Sequence, residues 1–407
     1  MWRWINTLLY GVYYRLRGFR QARRGRAAAR ATAIGPPESG ETPVLYVAWG
    51  RIGDMVLATG HLKHLRQVFQ PHPVWLLGRP ETEAVVKPHV DVFIPLKEGA
   101  WLSDPATRDT LRHTLNRRFA TIIADIHTFY GGVFVLGPLL ERLHAERKFI
   151  YEGYVLGNHL AAWRPYPGGF EVMRILADRP ENAPDLLQRH VLHHTVHYFN
   201  TVLDRLGKPT IPLKEMRPEL PSTGDREEVC RTFGLNPGAF IAWQPASNNR
   251  KKDYPMDRWF NVIAAFPDQL FIALGTRQEQ EKLRGFSAPN LRDLCGQTSL
   301  AQTIQLIRAA RLYVGLDSGL SHIASVSGQT TVCVTQNSNL GYFFPYPPEY
   351  SFINQHTVYH PDYVACSGCF MTCRHESIVA TYRRGSLCLR ELPISEVATA
   401  IRKQLEK

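Results

Sequence analysis

Short apolar segments alternate with amphipathic helical segments from residue 43 to residue 335. This alternation is typical of β-α-β units, because neighbouring parallel strands need a helical crossover between them. The pattern predicts strands at 44–49, 74–78, 92–96, 121–125 and 148–151, then at 239–244, 270–275, 291–294, 312–316 and 330–335. Helices are predicted at 54–69, 80–87, 105–117, 132–144, 256–266, 277–285, 299–309 and 319–327. The predicted fold class is therefore α/β, with two doubly wound domains.

Breaks in this pattern predict the domain organisation. Residues 1–42 read as a basic amphipathic arm and linker, residues 43–222 as the first domain and residues 223–407 as the second. The polar segment 152–222 contains a predicted helix at 190–206 and leads into a linker at 209–223. A length of 407 residues suffices for two complete cores, and 44% apolar residues exclude a disordered chain.

The net charge of +12 is concentrated in the arm, where residues 1–40 hold eight arginines and one acidic residue, Glu38, for a net +7. This location argues against a nucleic-acid-binding face on the globular body. Apolar side chains recur at near-helical spacing beside the arginines: Trp2, Trp4, Ile5, Leu8, Leu9, Val12, Tyr13 and Leu16. The pattern favours a helix lying on an anionic membrane surface and is too short to span a bilayer. The alternative is a helix packed on the protein's own body.

Residues 313–334 form a strand that runs through Asp317, Ser318 and Gly319 into a helix. The free N–H groups and positive dipole end of such a helix favour an anion. Ser318, Ser321 and His322 can donate hydrogen bonds there, and Asp317 can accept one from a sugar hydroxyl. The alternative is that Asp317 and Ser318 only cap a structural helix.

The first β-α turn of each half also carries polar groups. In the first half, Gly50-Arg-Ile-Gly53 precedes Asp54, which is either functional or only a helix cap; the turn lacks the third glycine of a dinucleotide fingerprint. In the second half, Ser247 and Asn248 precede Arg250, Lys251 and Lys252. Lys252 is the best candidate for a diphosphate contact, and a solvated loop is the alternative.

Four motifs in order, R-x-G-D at 51–54, K-x-Y-P at 252–255, CGQTSL at 295–300 and DSGLSH at 317–322, resemble those of the heptosyltransferases of glycosyltransferase family 9. These enzymes transfer heptose from ADP-heptose to the lipopolysaccharide core. The resemblance implies a GT-B fold, in which two Rossmann-like domains face each other across a cleft. The acceptor would bind to the first domain and the donor to the second.

By the same resemblance, Asp54 is the catalytic base of an inverting transfer, and Lys252 stabilises the departing diphosphate. Substrate-binding residues would be Gly53, Ser247, Asn248, Arg277, Glu279, Asp317, Ser318, Gly319, Leu320 and His322. The chain departs from the family at Tyr254, where many members have Trp, and at 276–279, near the nucleoside. No D-x-D pair follows a strand, so we expect catalysis without a metal cofactor.

Four of the seven cysteines, Cys366, Cys369, Cys373 and Cys388, are spaced C-x2-C-x3-C-x14-C. This spacing is near that of structural metal sites, and four free thiols in a packed loop are the alternative. The family resemblance implies that the ion, if bound, is zinc or iron. The sequence shows no secretory signal, which favours a reducing compartment and argues against disulfides. Cys230, Cys295 and Cys333 are predicted to be buried thiols.

The sequence analysis therefore predicts an ADP-heptose-dependent heptosyltransferase that acts on the lipopolysaccharide core. We expect it in the cytoplasm, bound peripherally to the inner membrane, with no nucleic-acid partner. Three alternatives stay open: a heptosyltransferase acting on autotransporter proteins, a sugar-nucleotide epimerase of GT-B fold, and a glycan-binding protein without turnover.

Overall fold

The structure is a computed structural model that describes residues 2–38, 40–126, 132–151, 166–173, 190–221, 224–350, 352–367, 369 and 373–407. The chain divides into two units. The N-terminal unit comprises Leu8–Ala183 and Leu192–Pro218; the C-terminal unit comprises Glu219–Lys407 together with Met1–Thr7 and Pro184–Val191. The predicted domain boundaries at 42/43 and 222/223 stay predictions.

The described part of the N-terminal unit contains a parallel sheet of six strands in the order β3-β2-β1-β4-β5-β6. Its strands are β1 Val44–Ala48, β2 Val74–Gly78, β3 Val92–Pro95, β4 Arg118–Asp125, β5 His144–Tyr151 and β6 Glu171–Met173. The helices numbered through this part of the chain are α1 Trp2–Thr32, α2 Ile52–Leu62, α3 Leu65–Phe69, α4 Glu83–Val86, α5 Glu98–Ser103, α6 Pro105–Leu115, α7 Gly132–Leu140 and α8 Val191–Arg205. The strand order reverses between β1 and β4, and such a switch point is where ligands bind at the carboxyl ends of parallel strands.

The C-terminal unit repeats this plan, with six parallel strands in the order β12-β11-β10-β7-β8-β9 among the residues described. They are β7 Phe240–Trp243, β8 Leu270–Ala273, β9 Leu291–Asp293, β10 Leu312–Leu316, β11 Thr331–Val334 and β12 Gln355–Val358. The helices are α9 Arg226–Thr232, α10 Met256–Ala264, α11 Arg277–Leu283, α12 Leu300–Ala309, α13 Gly319–Val326, α14 Ile378–Arg384, α15 Leu387–Glu391 and α16 Ile394–Leu405. The switch point lies between β7 and β10.

The predicted α/β class with two doubly wound sheets is confirmed. All ten predicted strands are present. The central ones are buried on both faces and therefore read as continuous apolar runs. The sequence pattern misses β6 and β12, which are short and polar at Glu171 and Gln355. The predicted helix 54–69 is two helices, which are separated at Lys63 and His64.

The arm residues form one helix, α1, whose second half packs on the N-terminal unit. Ala22, Ala28 and Ala29 are buried in the core of that unit, so the packing alternative is right for this half. An apolar face earlier in the helix is 46–61% exposed; it consists of Leu8, Leu9, Val12, Tyr13, Leu16 and Phe19. Within the described residues, no helix is long and apolar enough to cross a membrane.

The close packing of α1 leads to a stability prediction at Gly25. A Cβ atom there would lie 2.6 Å from the Val135 carbonyl oxygen and 2.8 Å from that of Phe134. We expect Gly25→Ala to lower the free energy of unfolding by about 1–3 kcal/mol, since backbone must move to accommodate it. Gly99→Ala is the matched control: Gly99 is also helical, and its Cβ would meet nothing within 4 Å. Denaturant unfolding that ranks both variants alike would contradict the prediction.

Candidate functional site

The switch point of the C-terminal unit brings Lys252 and Asp317 together. Asp317 follows β10, and its side chain is 2% exposed. The Lys252 ammonium lies 3.0 Å from Asp317 Oδ2 and donates to the Asp317 carbonyl oxygen at 3.1 Å. Asn339 also donates to Oδ2, at 3.0 Å. These bonds satisfy the carboxylate and fix the Lys252 ammonium, whose side chain remains 20% exposed, at the carboxyl edge of the sheet.

Helix α13 begins beside this ion pair. Ser318 is its N-cap residue, but the Ser318 hydroxyl donates to Gln244 Oε1 and makes no cap bond. The Ser321 hydroxyl is also used internally and donates to the Leu316 carbonyl oxygen. An α-helix leaves its first N–H groups without intrahelical acceptors, so Gly319 and Leu320 present backbone donors near the Lys252 ammonium. This arrangement suits an anion.

His322, predicted to contact a phosphate, lies within an aromatic cluster. Its ring is stacked on Phe344 at 4.5 Å between centroids, and Nδ1 lies 2.8 Å from the Tyr346 hydroxyl. Phe343 lies under the Lys252 ammonium, 5.0 Å from it. The predicted phosphate contact of His322 stays a prediction.

Four residues of this site were missed by the sequence analysis: Gln244, Asn339, Phe343 and Tyr346. Gln244 directly follows β7 and Asn339 lies in the segment after β11, so both belong to the edge at which the predicted site lies. That position was the available signal, because carboxyl ends of parallel strands share one edge. Nothing in the local pattern at 342–346 distinguishes a site from an ordinary apolar loop.

The predicted donor loop is fixed by its own polar groups. The Ser247 hydroxyl donates to the Asn249 carbonyl oxygen at 2.9 Å, and the Ser247 N–H donates to Asp253 Oδ1 at 2.7 Å. Lys282 donates to Asp253 Oδ2 at 2.7 Å and to the Ser247 carbonyl oxygen at 2.6 Å. Asn248 is exposed. The Ser247 hydroxyl therefore shapes the loop, while Asn248 is accessible.

The same loop also contains Lys251, whose side chain is buried. Burial, followed by the charge of Lys252, lowers the pKa of Lys251 to about 7. Its ammonium lies 4.4 Å from the Tyr382 ring and 3.4 Å from the Tyr382 hydroxyl. Binding of an anion nearby would favour the protonated form.

Arg277 and Glu279 lie at the end of β8, where α11 begins. Glu279 is buried, and its carboxylate accepts from the Thr276 N–H at 2.7 Å, as part of a capping box. Arg277 is exposed, and a Cβ added to Gly296 would lie 2.7 Å from Arg277 Cγ. Glu279 thus has a structural role here, and the predicted substrate contacts of both residues stay predictions.

The corresponding turn of the N-terminal unit holds Asp54 at the start of α2. Asp54 Oδ2 accepts from the Arg51 N–H at 2.7 Å, so the predicted cap is present. A Cβ at Gly50 would lie 2.6 Å from Asp54 Cβ, which requires glycine at that position. Gly53 lies in the first turn of α2. The structure leaves the catalytic role of Asp54 as a prediction beside this structural one.

A buried polar network, absent from the sequence analysis, lies beneath the same edge. The Tyr46 hydroxyl donates to Asp125 Oδ2 at 3.1 Å and lies 2.6 Å from His61 Nε2. Burial lowers the pKa of His61 to about 3, with smaller contributions from His64 and His89, and burial also raises the pKa of Tyr46 well above its usual range. Both groups are therefore neutral at physiological pH, and Asp125 is fixed at the end of β4.

The four clustered cysteines are near one another in the structure. The pKa of Cys369 is raised to about 12, first by burial and then by the electrostatic effect of three neighbouring thiols, Cys373, Cys388 and Cys366. Cys366 Sγ lies 3.2 Å from His375 Nε2. In the described part of the chain, no three or more His, Cys, Asp or Glu side chains are placed to hold an ion. The zinc or iron ion stays a prediction, which elemental analysis of purified protein tests as one equivalent per chain.

A protein-family model matches a large part of the chain. The family model of glycosyltransferase family 9 (heptosyltransferase) matches residues 170–367, which include the Lys252–Asp317 pair. Residues 170–367 are therefore similar to a glycosyltransferase family 9 domain. This confirms the family resemblance drawn from the four motifs. No curated protein matches the sequence.

Solved structures support the fold of this chain. ADP-heptose lipopolysaccharide heptosyltransferase II of E. coli is 14% identical with a TM-score of 0.58, over 90% of this chain and 99% of that one. The family 9 glycosyltransferase of Veillonella parvula is 16% identical with a TM-score of 0.61, over 90% and 97%. The E. coli heptosyltransferase WaaC with ADP is 18% identical with a TM-score of 0.51, over 84% and 98%. The fold is GT-B, as predicted.

Proposed function

We propose that this glycosyltransferase moves a heptose from ADP-heptose to a lipopolysaccharide core acceptor, with inversion at the anomeric carbon. The observation that carries the proposal is the fixed Lys252 ammonium beside the N-terminus of α13, at the switch point of the C-terminal unit. A diphosphate is the part of a nucleotide-sugar that such a cationic site would bind. The ADP bound by WaaC supports adenosine as the nucleoside.

In the proposed reaction, the acceptor oxygen forms a bond to the anomeric carbon as the bond from that carbon to the diphosphate breaks. The diphosphate leaves with the electron pair, and Lys252 and the N–H groups of α13 stabilise its charge. The acceptor proton passes to the Asp54 carboxylate. These residues account for the charges of the step, so the proposal requires no divalent cation.

The acceptor is tested by mass spectrometry of lipopolysaccharide from a strain that lacks the protein. We expect a core that has lost one heptose, and purified protein should release ADP from ADP-heptose only when core acceptor is present. An intact core with a lost heptose on a surface protein would identify a protein acceptor instead. Isomerised ADP-sugar without any acceptor would indicate an epimerase.

We also propose that the exposed apolar face of α1 binds the cytoplasmic surface of the inner membrane. The arginines of α1, among them Arg17, Arg20 and Arg23, supply charge complementary to anionic lipid. Deletion of the whole arm is an unsuitable test, because Ala22, Ala28 and Ala29 belong to the core of the N-terminal unit.

Substitution of the exposed face gives a direct test. We expect Leu8→Ser combined with Val12→Ser to abolish sedimentation with vesicles containing phosphatidylglycerol, since both side chains are more than half exposed. Wild-type binding should weaken as salt rises. The control is Val364→Ser with Val379→Ser, which removes 48% and 50% exposed valines elsewhere. Equal sedimentation of both double variants would contradict membrane binding by α1.

A further inference from the structure

The turn that carries Lys252 packs against a second, distant segment of the C-terminal unit. This turn, the short helix Arg250–Lys252, is called the lysine turn below. The Ser386 hydroxyl lies 2.7 Å from the Lys251 carbonyl oxygen, and the Ser386 N–H donates to the same oxygen at 3.3 Å. Beside it, Gly385 has a φ of +85°, and its Cβ would lie 3.3 Å from the Arg250 carbonyl oxygen. The lysine turn is thus hydrogen-bonded to Ser386 at the Lys251 carbonyl group, and Gly385 packs closely on the preceding carbonyl group of Arg250.

Ser386 also links the lysine turn to the strand edge that carries the site. Its hydroxyl lies 2.8 Å from Gln336 Oε1, and Gln336 lies two residues after the end of β11. A hydroxyl has one proton, so it bonds either the Lys251 carbonyl oxygen or Gln336 at a given moment. Lys251 directly precedes Lys252 in the chain. Gln336 follows β11, which is the neighbour in the sheet of the strand that leads into Asp317. Ser386 therefore sets the distance between the lysine turn and this edge.

The position of Ser386 depends in turn on Glu376, which is 9% exposed. Glu376 Oε1 accepts from the Leu387 N–H at 3.1 Å and from the Thr381 hydroxyl at 3.0 Å. Glu376 Oε2 accepts from Arg390 at 2.9 Å, and Arg390 also donates to the Gly385 carbonyl oxygen at 3.1 Å. One carboxylate thus joins α14, α15 and the Gly385-Ser386 turn between them.

Asn6 of α1 fixes the other end of this segment. Its side chain is fully buried and donates to the carbonyl oxygens of Cys373 at 3.1 Å and Glu376 at 2.9 Å. Asn6 Oδ1 accepts from the Ile378 N–H at 2.7 Å. A continuous set of hydrogen bonds therefore runs from Asn6 through Glu376 and Ser386 to the lysine turn.

We propose that Ser386 and Glu376 are positioning residues of the donor site, which hold the lysine turn so that the Lys252 ammonium meets the diphosphate. This inference rests on the proposed donor role of Lys252. It assigns a purpose to residues 373–390, which lie outside the four family motifs and contain two of the clustered cysteines. The segment acts on donor binding through backbone contacts and touches no substrate.

The test is calorimetric titration of full-length protein with ADP, together with steady-state kinetics. We expect Ser386→Ala to weaken ADP binding about fivefold and to raise the KM for the donor without changing the KM for the acceptor. Ser386→Thr should restore binding because it keeps the hydroxyl. Ser377→Ala is the matched control: its hydroxyl caps α14 by bonding the Ala380 N–H at 3.2 Å and does not reach the lysine turn.

The outcomes separate this inference from the proposed function. If Lys252→Ala weakens ADP binding and Ser386→Ala does not, the positioning role is wrong and the donor site stands. If Ser377→Ala weakens ADP binding as much as Ser386→Ala, the effect is general destabilisation and the inference fails. If Lys252→Ala binds ADP as the wild type does, the proposed donor role fails and the inference with it. The double variant Lys252→Ala, Ser386→Ala should bind no more weakly than Lys252→Ala alone, because Ser386 acts through the lysine turn.

Discussion

Asp54→Ala is expected to reduce transfer about 10²- to 10⁴-fold while leaving ADP binding unchanged. A general base acts on the acceptor hydroxyl, and its removal costs that range of rate enhancement. The proposed donor site of the other unit keeps Lys252 and the N-terminus of α13. Single-turnover kinetics with saturating donor, alongside calorimetric titration with ADP, measure the two quantities separately.

The cap made by Asp54 requires a second variant, because alanine removes both the base and the hydrogen bond from the Arg51 N–H. Losing that cap alone costs about 1 kcal/mol of stability. Asp54→Asn keeps a side-chain oxygen that can accept the hydrogen bond from the Arg51 N–H. It cannot act as a base toward the hydroxyl of the acceptor substrate. We expect Asp54→Asn to retain the wild-type Tm and to be as slow as Asp54→Ala. Recovery of transfer in Asp54→Asn would show that Asp54 is only a cap.

The fold could be predicted from the sequence because its determinants are local. The central strands β1 and β10 are fully buried, and burial on both faces requires the continuous apolar runs that the sequence shows. The turns after these strands are equally local, since Gly50 and the Asp317-Ser318-Gly319 turn are adjacent in sequence to the helices they precede. The edge strands β6 and β12 lack a continuous apolar run, so the sequence pattern does not predict them.

The partners of the site residues could not be predicted, because they are distant in the chain. The sequence predicts a substrate contact for Lys252 and another for Asp317. In the structure the two side chains also pair with each other, across 65 residues of the chain. Asn6 and Ile378 bond across 372 residues. A buried polar group must find a partner, but sequence spacing does not indicate which partner topology will supply. The same limit applies to Glu279 and Ser247, whose side chains form hydrogen bonds with backbone groups of neighbouring residues.

Lys252→Ala is expected to lower kcat/KM about 10²- to 10³-fold, the effect of removing one electrostatic stabiliser of a departing anion. Donor affinity should fall as well, since in the proposed function the ammonium contacts the diphosphate before and during departure. Titration with ADP and kinetics with varied ADP-heptose measure the two effects.

The ion pair adds a stability effect to this variant. The Asp317 carboxylate is 2% exposed, and Lys252→Ala removes its cationic partner while Asn339 still donates to Oδ2. Breaking a buried pair costs on the order of 3 kcal/mol. Asp317→Asn in the same chain removes the unpaired charge, so the double variant Lys252→Ala, Asp317→Asn should regain Tm. It should not regain activity, because the cation that faces the diphosphate is still missing. Thermal unfolding and donor kinetics of both variants therefore separate the two roles of Lys252. If activity returned together with stability, Lys252 would serve only to neutralise Asp317, and the donor would have to be bound by other groups.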